Sequence, residues 1–148
     1  MWRGRLPHWR ADDVVYYVTF RHRRPLTESE CQLLLKCLLK PDGRQWDLLI
    51  VAVLPEATEL MFKVHDAPTG QPYELANIVE KAKTKAGKLI IKKSEERWPP
   101  FYNESYDRIV RDDVELEERW LTILDSPVTA ELCQDPEEWA GLYVSGSE

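Results

Sequence analysis

Leu48-Leu49-Ile50-Val51-Ala52-Val53-Leu54 is an unbroken apolar run, and a second run, Leu60-Met61-Phe62-Lys63-Val64-His65, resumes just after it. A short apolar run bounded by polar residues suits a central strand buried on both faces. The two runs predict a hairpin, with Pro55-Glu56-Ala57-Thr58-Glu59 at its turn or at the start of its second strand.

The flanking segments extend this pattern. Val14 to Phe20 is β-branched and aromatic, which predicts a strand; Arg21-His22-Arg23-Arg24 makes its end basic and Pro25 breaks it. Thr27-Glu28-Ser29-Glu30 reads as a capping box, and the helix it opens carries Leu33, Leu34, Leu35, Leu38 and Leu39 before Pro41-Asp42-Gly43. Leu75, Ile78, Val79 and Ala82 predict a helix from Tyr73 to about Lys93, which Gly87 weakens or ends. Trp98-Pro99-Pro100 cannot continue a helix. Phe101 to Tyr106 reads as a short strand, and Asp112-Asp113-Val114-Glu115 as the cap of a helix through about Leu124, ended by Pro127. Strand, helix, strand, strand, helix, strand is the split βαβ order of an α+β, ferredoxin-like fold, an antiparallel sheet with helices on one face.

At 148 residues the chain fits a single domain over 1–140 with a basic N-terminal arm, followed by a flexible tail over 141–148. No apolar run reaches the roughly 20 residues of a membrane span, and Met1-Trp2-Arg3-Gly4-Arg5 opens no secretory signal. Cys31, Cys37 and Cys133 lack metal-type spacing and read as reduced, mostly buried thiols. Charge is uneven: residues 1–100 hold 17 Lys and Arg against 13 Asp and Glu, residues 101–148 hold 3 against 13, and the whole chain is −6. A basic front is compatible with nucleic acid on one face, whereas a pI near 5.2 weighs against tight non-specific DNA binding.

Four stretches resemble, in order, the REP-associated tyrosine transposases, a branch of the single-tyrosine HUH transposases. Arg3-Gly4-Arg5-Leu6-Pro7-His8-Trp9 with Tyr16 to Arg21 is similar to that family's opening. Val53-Leu54-Pro55 is similar to the lead-in to its Pro-Asn-His-x-His motif. Glu104 to Asp112 is similar to the segment before its catalytic helix, and Ser126-Pro127-Val128-Thr129-Ala130-Glu131-Leu132 to its Asn-Pro-Val-x-Ala-Gly-Leu ending. In that family two histidines hold Mg²⁺ or Mn²⁺ at a scissile phosphate of single-stranded DNA and a helix tyrosine attacks. Here the histidine positions are Ala57 and Glu59, and the tyrosine position is Thr122. The resemblance therefore implies a transposase-like protein without its chemistry: no catalytic residues, no metal site and no cofactor.

Substitute groups are few. His65 shares a strand face with Glu59 but stands roughly 20 Å along it. Tyr102 and Tyr106 read as packing aromatics, His8 and His22 as surface or structural residues, and Thr122 as a helix-surface or packing residue. Acidic Asp112, Asp113, Glu115, Glu117 and Glu118 fit a helix N-terminus and a solvated face better than a cation site.

Candidate DNA contacts are the arm, with Arg3, Arg5 and Arg10 among Trp2, His8 and Trp9; the strand end, with Arg21, Arg23 and Arg24; and Lys81, Lys83, Lys85, Lys88, Lys92 and Lys93 on the second helix. Each has an ordinary alternative as a solvated or packed surface. The resemblance implies binding of hairpin or single-stranded DNA by a cytoplasmic, nucleoid-associated protein, and a homodimer formed through sheet edges. Two other readings stay open: an active metal-dependent nuclease or transposase with displaced residues, and a protein-interaction module with no DNA role.

Overall fold

The 48–65 hairpin forms the centre of the sheet. The computed structural model describes residues 14–71 and 73–145. In chain order the elements are β1 (Tyr16–Arg21), α1 (Glu28–Leu39), β2 (Trp46–Val53), β3 (Ala57–Val64), α2 (Leu75–Ser94), β4 (Tyr106–Ile109), α3 (Asp113–Thr129), a 3-10 turn (Pro136–Glu138) and β5 (Leu142–Val144). The strands lie in the order β4-β1-β3-β2-β5, every neighbour antiparallel. This is the expected α+β class and split βαβ order. Its edges are the short strands β4 and β5, of four and three residues.

The helices do not share one face as expected. α1 and α2 cover the side carrying Val18, Phe20, Val51, Leu60 and Phe62. α3 lays Leu116, Trp120, Ile123 and Leu124 over the other side, against Tyr17, Leu49, Ile50, Ala52 and Met61. The reason lies in β2: an apolar run in a pleated strand feeds both faces, and each face must be covered. A register shift between Leu48 and Ile50 adds to this by turning Leu49 and Ile50 to the same side.

Local signals account for several boundaries. The Thr27 hydroxyl accepts the Glu30 N–H and the Glu30 carboxylate accepts the Thr27 N–H, completing the capping box. Pro127 lies inside α3 and does not end it at about Leu124. Lacking an N–H, Pro127 cannot bond the Ile123 carbonyl; the Ser126 hydroxyl donates to that oxygen at 2.7 Å. Gly87 neither ends nor breaks α2, because it is where the helix meets Pro99: a Cβ there would lie 2.9 Å from the Pro99 Cβ. β4 begins at Tyr106 and not at Phe101, which only bridges His22.

Residues 142–144, read from sequence as part of a tail, form β5 on β2. Gly141 makes this possible: its carbonyl accepts the Val53 N–H, and any Cβ at that position would collide with the Val53 oxygen. The Trp139 indole donates to the same oxygen at 2.8 Å. Among the described residues Cys31 and Cys37 are buried, Cys133 is partly buried and all three are free thiols. No helix among them is long and apolar enough to cross a membrane.

Candidate functional site

Ala57 and Glu59 stand two apart on β3 and so share the sheet face that α3 covers. Strand register completes the floor beneath α3. Ala57 is opposite Arg21 and Glu59 opposite Thr19, while Met61 is opposite Tyr17. On the far side of β1, Tyr106 is opposite Thr19 and Arg108 opposite Tyr17. α3 supplies the wall: Tyr17 and Glu59 line a cleft of about 210 Å³ with Glu115, Glu118, Arg119 and Thr122. Two of the three positions singled out from sequence, Glu59 and Thr122, therefore meet in one cleft, 63 residues apart in the chain.

Tyr17, Glu59, Glu115 and Arg119 of the cleft are engaged in pairs. The Tyr17 hydroxyl donates to Glu59 Oε2 at 2.7 Å, and the Arg119 guanidinium lies 4.3 Å over the Tyr17 ring. Arg119 Nε donates to Glu115 at 3.1 Å, and Arg108 Nη2 reaches the same carboxylate oxygen at 2.7 Å. The Arg111 backbone N–H, then Arg119 and Arg108, hold Glu115 below the usual carboxylate range. Burial, and after it the bond to Glu59, pushes Tyr17 up to about 12. The Thr122 hydroxyl donates to the Glu118 carbonyl at 2.8 Å, within its own helix.

These residues do not fit a divalent cation. Ala57 offers no donor atom, Glu59 already accepts the Tyr17 proton, and Glu115 is held by arginines that would repel a metal. Among the described residues no group of three His, Cys, Asp or Glu side chains is placed to hold a metal ion. His65 pairs with Asp47 at 2.8 Å.

His22 lies on the opposite face and supports the turn before β3. It is buried, with Nδ1 2.8 Å from the Pro55 carbonyl and Nε2 2.9 Å from the Thr58 hydroxyl. A carbonyl only accepts, so the neutral ring carries its proton on Nδ1 and accepts the Thr58 hydroxyl on Nε2. Burial, the largest effect, holds its pKa below the ordinary value.

The basic candidates separate sharply. Lys81, Lys85, Lys88 and Lys92 are exposed and recur at intervals of four, three and four residues, which makes one stripe along α2. Lys40 and Arg44 join it across the α1–α2 seam, lining a cleft with Lys81 and Lys85. The Lys85 ammonium, closest in effect, and Arg44 hold Lys40 below the usual lysine range. Lys93 is exposed on the α1 side of α2.

Lys83 must be removed from the set of DNA contacts. It is 4% exposed, donates to the Tyr102 carbonyl at 2.7 Å and lies 4.7 Å over the Phe20 ring. Its position gives the reason: Val79, Ala82, Lys83, Ala86 and Ile90 form the buried stripe of α2. Arg24 is committed as well, bonded to both Glu30 and Glu96. Arg21 and Arg23 are exposed. Arg3, Arg5 and Arg10 lie outside the described residues.

Sequence reading missed Tyr17, which its alternation with Thr19 and Arg21 places on the face of Ala57 and Glu59 once β1 and β3 are paired. It also took Tyr102 and Tyr106 as packing residues, whereas they are 51% and 56% exposed.

No protein-family model matches the chain, and no curated protein does. Among solved structures the chain is similar to one of a REP-associated tyrosine transposase bound to a REP hairpin, with a TM-score of 0.66. The match covers 90% of this chain and 80% of that one at 12% identity. The likeness is one of fold.

Proposed function

We propose that this chain is a degenerate relative of the REP-associated tyrosine transposases that binds structured DNA, hairpin or single-stranded, without cutting it. The observation that carries this reading is the cleft under α3, where Tyr17 is bonded to Glu59 and Glu115 to Arg108 and Arg119. The fold it shares with a transposase bound to a REP hairpin supports DNA as the partner. The exposed stripe of Lys81, Lys85, Lys88 and Lys92, extended by Lys40 and Arg44, supports phosphate contacts despite the chain's net charge of −6. No step runs through a metal ion.

One observation favours a second reading. Tyr17 has a carboxylate acceptor in the cleft, so it has the makings of a displaced nucleophile and base. Its 7% exposure, the guanidinium over its ring and its raised pKa make it a closed, protonated phenol, and the binding reading accounts for all three.

The test is a gel-shift series with single-stranded, hairpin and duplex DNA, with and without Mn²⁺. Binding of hairpin or single strands, Mn²⁺-independent and weakened by salt, is expected. No binding at low salt sinks the DNA reading and leaves a protein-interaction module.

A further inference from the structure

Lys40 just past the end of α1, Arg44 in the loop that follows, and Lys81 and Lys85 on α2 converge on one cleft of about 160 Å³ at the α1–α2 seam. All four side chains are exposed, and buried Cys37 and Ile78 lie between them as its floor. Among the described residues no carboxylate lines this cleft. Asp42, between Lys40 and Arg44 in the chain, instead accepts the Leu48 N–H and the Tyr143 hydroxyl.

This convergence works against the fold. Like charges one helical turn apart, as Lys81 and Lys85 are, destabilise a helix. The Lys85 ammonium, and more weakly Arg44, hold Lys40 below the usual lysine range. An ordinary explanation reaches Lys40 and Arg44: the C-terminal end of α1 favours nearby cations, and Arg44 Nη2 donates to the Lys40 carbonyl at 3.2 Å. It does not reach Lys81 and Lys85, which stand in the middle of α2. An anion held in the cleft accounts for all four.

Charge selects the ligand. Each phosphodiester of DNA brings one negative charge and its neighbours follow along the strand, whereas here four cations face a single small cleft. A phosphate monoester carries about −1.5 to −2 charges at neutral pH, which still falls short. Two joined phosphates are the smallest group that matches the cluster, and Arg44 offers the planar N–H fork that paired phosphate oxygens accept. The apolar floor shields one side of the cleft from solvent, where ionic contacts are screened less than on an open surface.

We infer that the α1–α2 seam binds a diphosphate group, either free pyrophosphate or the diphosphate of a nucleotide, through Lys40, Arg44, Lys81 and Lys85. The site does not depend on the DNA-binding reading above.

The test is calorimetric titration of the full chain at low salt, without divalent cations, using pyrophosphate, adenosine diphosphate and orthophosphate as probes. At least one of the two diphosphates is expected to bind roughly tenfold or more tightly than orthophosphate. Lys40→Gln and Arg44→Gln should each weaken that binding roughly ten- to a hundredfold, and Lys93→Gln, which removes one charge outside the cleft, should not. Unfolding curves separate lost contacts from a damaged fold: Lys40→Gln relieves repulsion, so without ligand it should be at least as stable as the native chain. Tighter binding of adenosine diphosphate supports the site as one for a nucleotide, and tighter binding of pyrophosphate supports the free anion. Diphosphates that bind no better than orthophosphate, or Lys40→Gln and Arg44→Gln variants that keep full affinity, overturn the site and leave the hairpin reading intact. Diphosphate binding by a chain that shifts no DNA supports the site and overturns the hairpin reading alone.

Discussion

The Tyr17 hydroxyl donates a 2.7 Å hydrogen bond to the Glu59 carboxylate, joining β1 to β3 within the cleft that α3 covers. Tyr17→Phe removes the donor and leaves the partly buried carboxylate short of a partner. A loss of roughly 1.5–3 kcal/mol in urea unfolding is expected. DNA binding should survive, because the hydroxyl faces Glu59 and not solvent.

The same bond sets an alkaline limit. Tyr17 titrates at about 12 in the folded chain against 10.0 unfolded. Its folded pKa is the higher one, so its contribution is complete below pH 10 and is lost as pH rises toward 12. Stability measured across that window should fall for the native chain and fall less for Tyr17→Phe.

His22 sets an acid limit of opposite sign. Its folded pKa is below the ordinary 6.5, so the unfolded chain takes up the proton first as pH falls. The stability it contributes is present above pH 6.5 and is lost as pH falls below it. His22→Gln should be less stable at neutral pH and should show a flatter dependence below pH 6.5 in parallel denaturation curves.

Gly87→Ala sets helix propensity against packing. Alanine favours a helix by about 1 kcal/mol, but its Cβ would meet the Pro99 ring at 2.9 Å. Pro99 is followed by a carbonyl bonded to the Arg23 N–H and by buried Phe101, which leave it little room to yield, so a net destabilisation of roughly 1–3 kcal/mol is expected in thermal or urea unfolding.

Within α2 the lysines should divide by role. Replacing Lys81, Lys85, Lys88 and Lys92 together with Gln should leave unfolding nearly unchanged. It should weaken hairpin binding and reduce its salt slope by roughly one for each phosphate no longer neutralised. Lys83→Gln should destabilise the fold with no change in that slope at temperatures where it is folded, because its ammonium is bonded to the Tyr102 carbonyl.

Much of the fold was legible because its signals are local. The Thr27–Glu30 capping box and the Leu48–Leu54 run each contain their own explanation, and both form as read. What the sequence did not disclose depends on partners distant in the chain. Tyr17 reaches Glu59 only through the β1–β3 register, β5 only through Gly141 against Val53, and the arginines reach Glu115 only once α3 crosses the sheet. Two errors had signals at hand. Lys83 falls on the apolar stripe of its helix, and Ser126 before Pro127 could take the carbonyl that proline leaves.

The central claim is binding without strand cleavage, and one gel tests it most directly. A labelled hairpin with an unpaired extension is incubated with the protein and Mn²⁺, then run in parallel on native and denaturing gels. The expected result is a shifted band on the native gel and a single intact strand on the denaturing one. A shortened strand, or a protein–DNA adduct that resists denaturant and disappears in Tyr17→Phe, would contradict it.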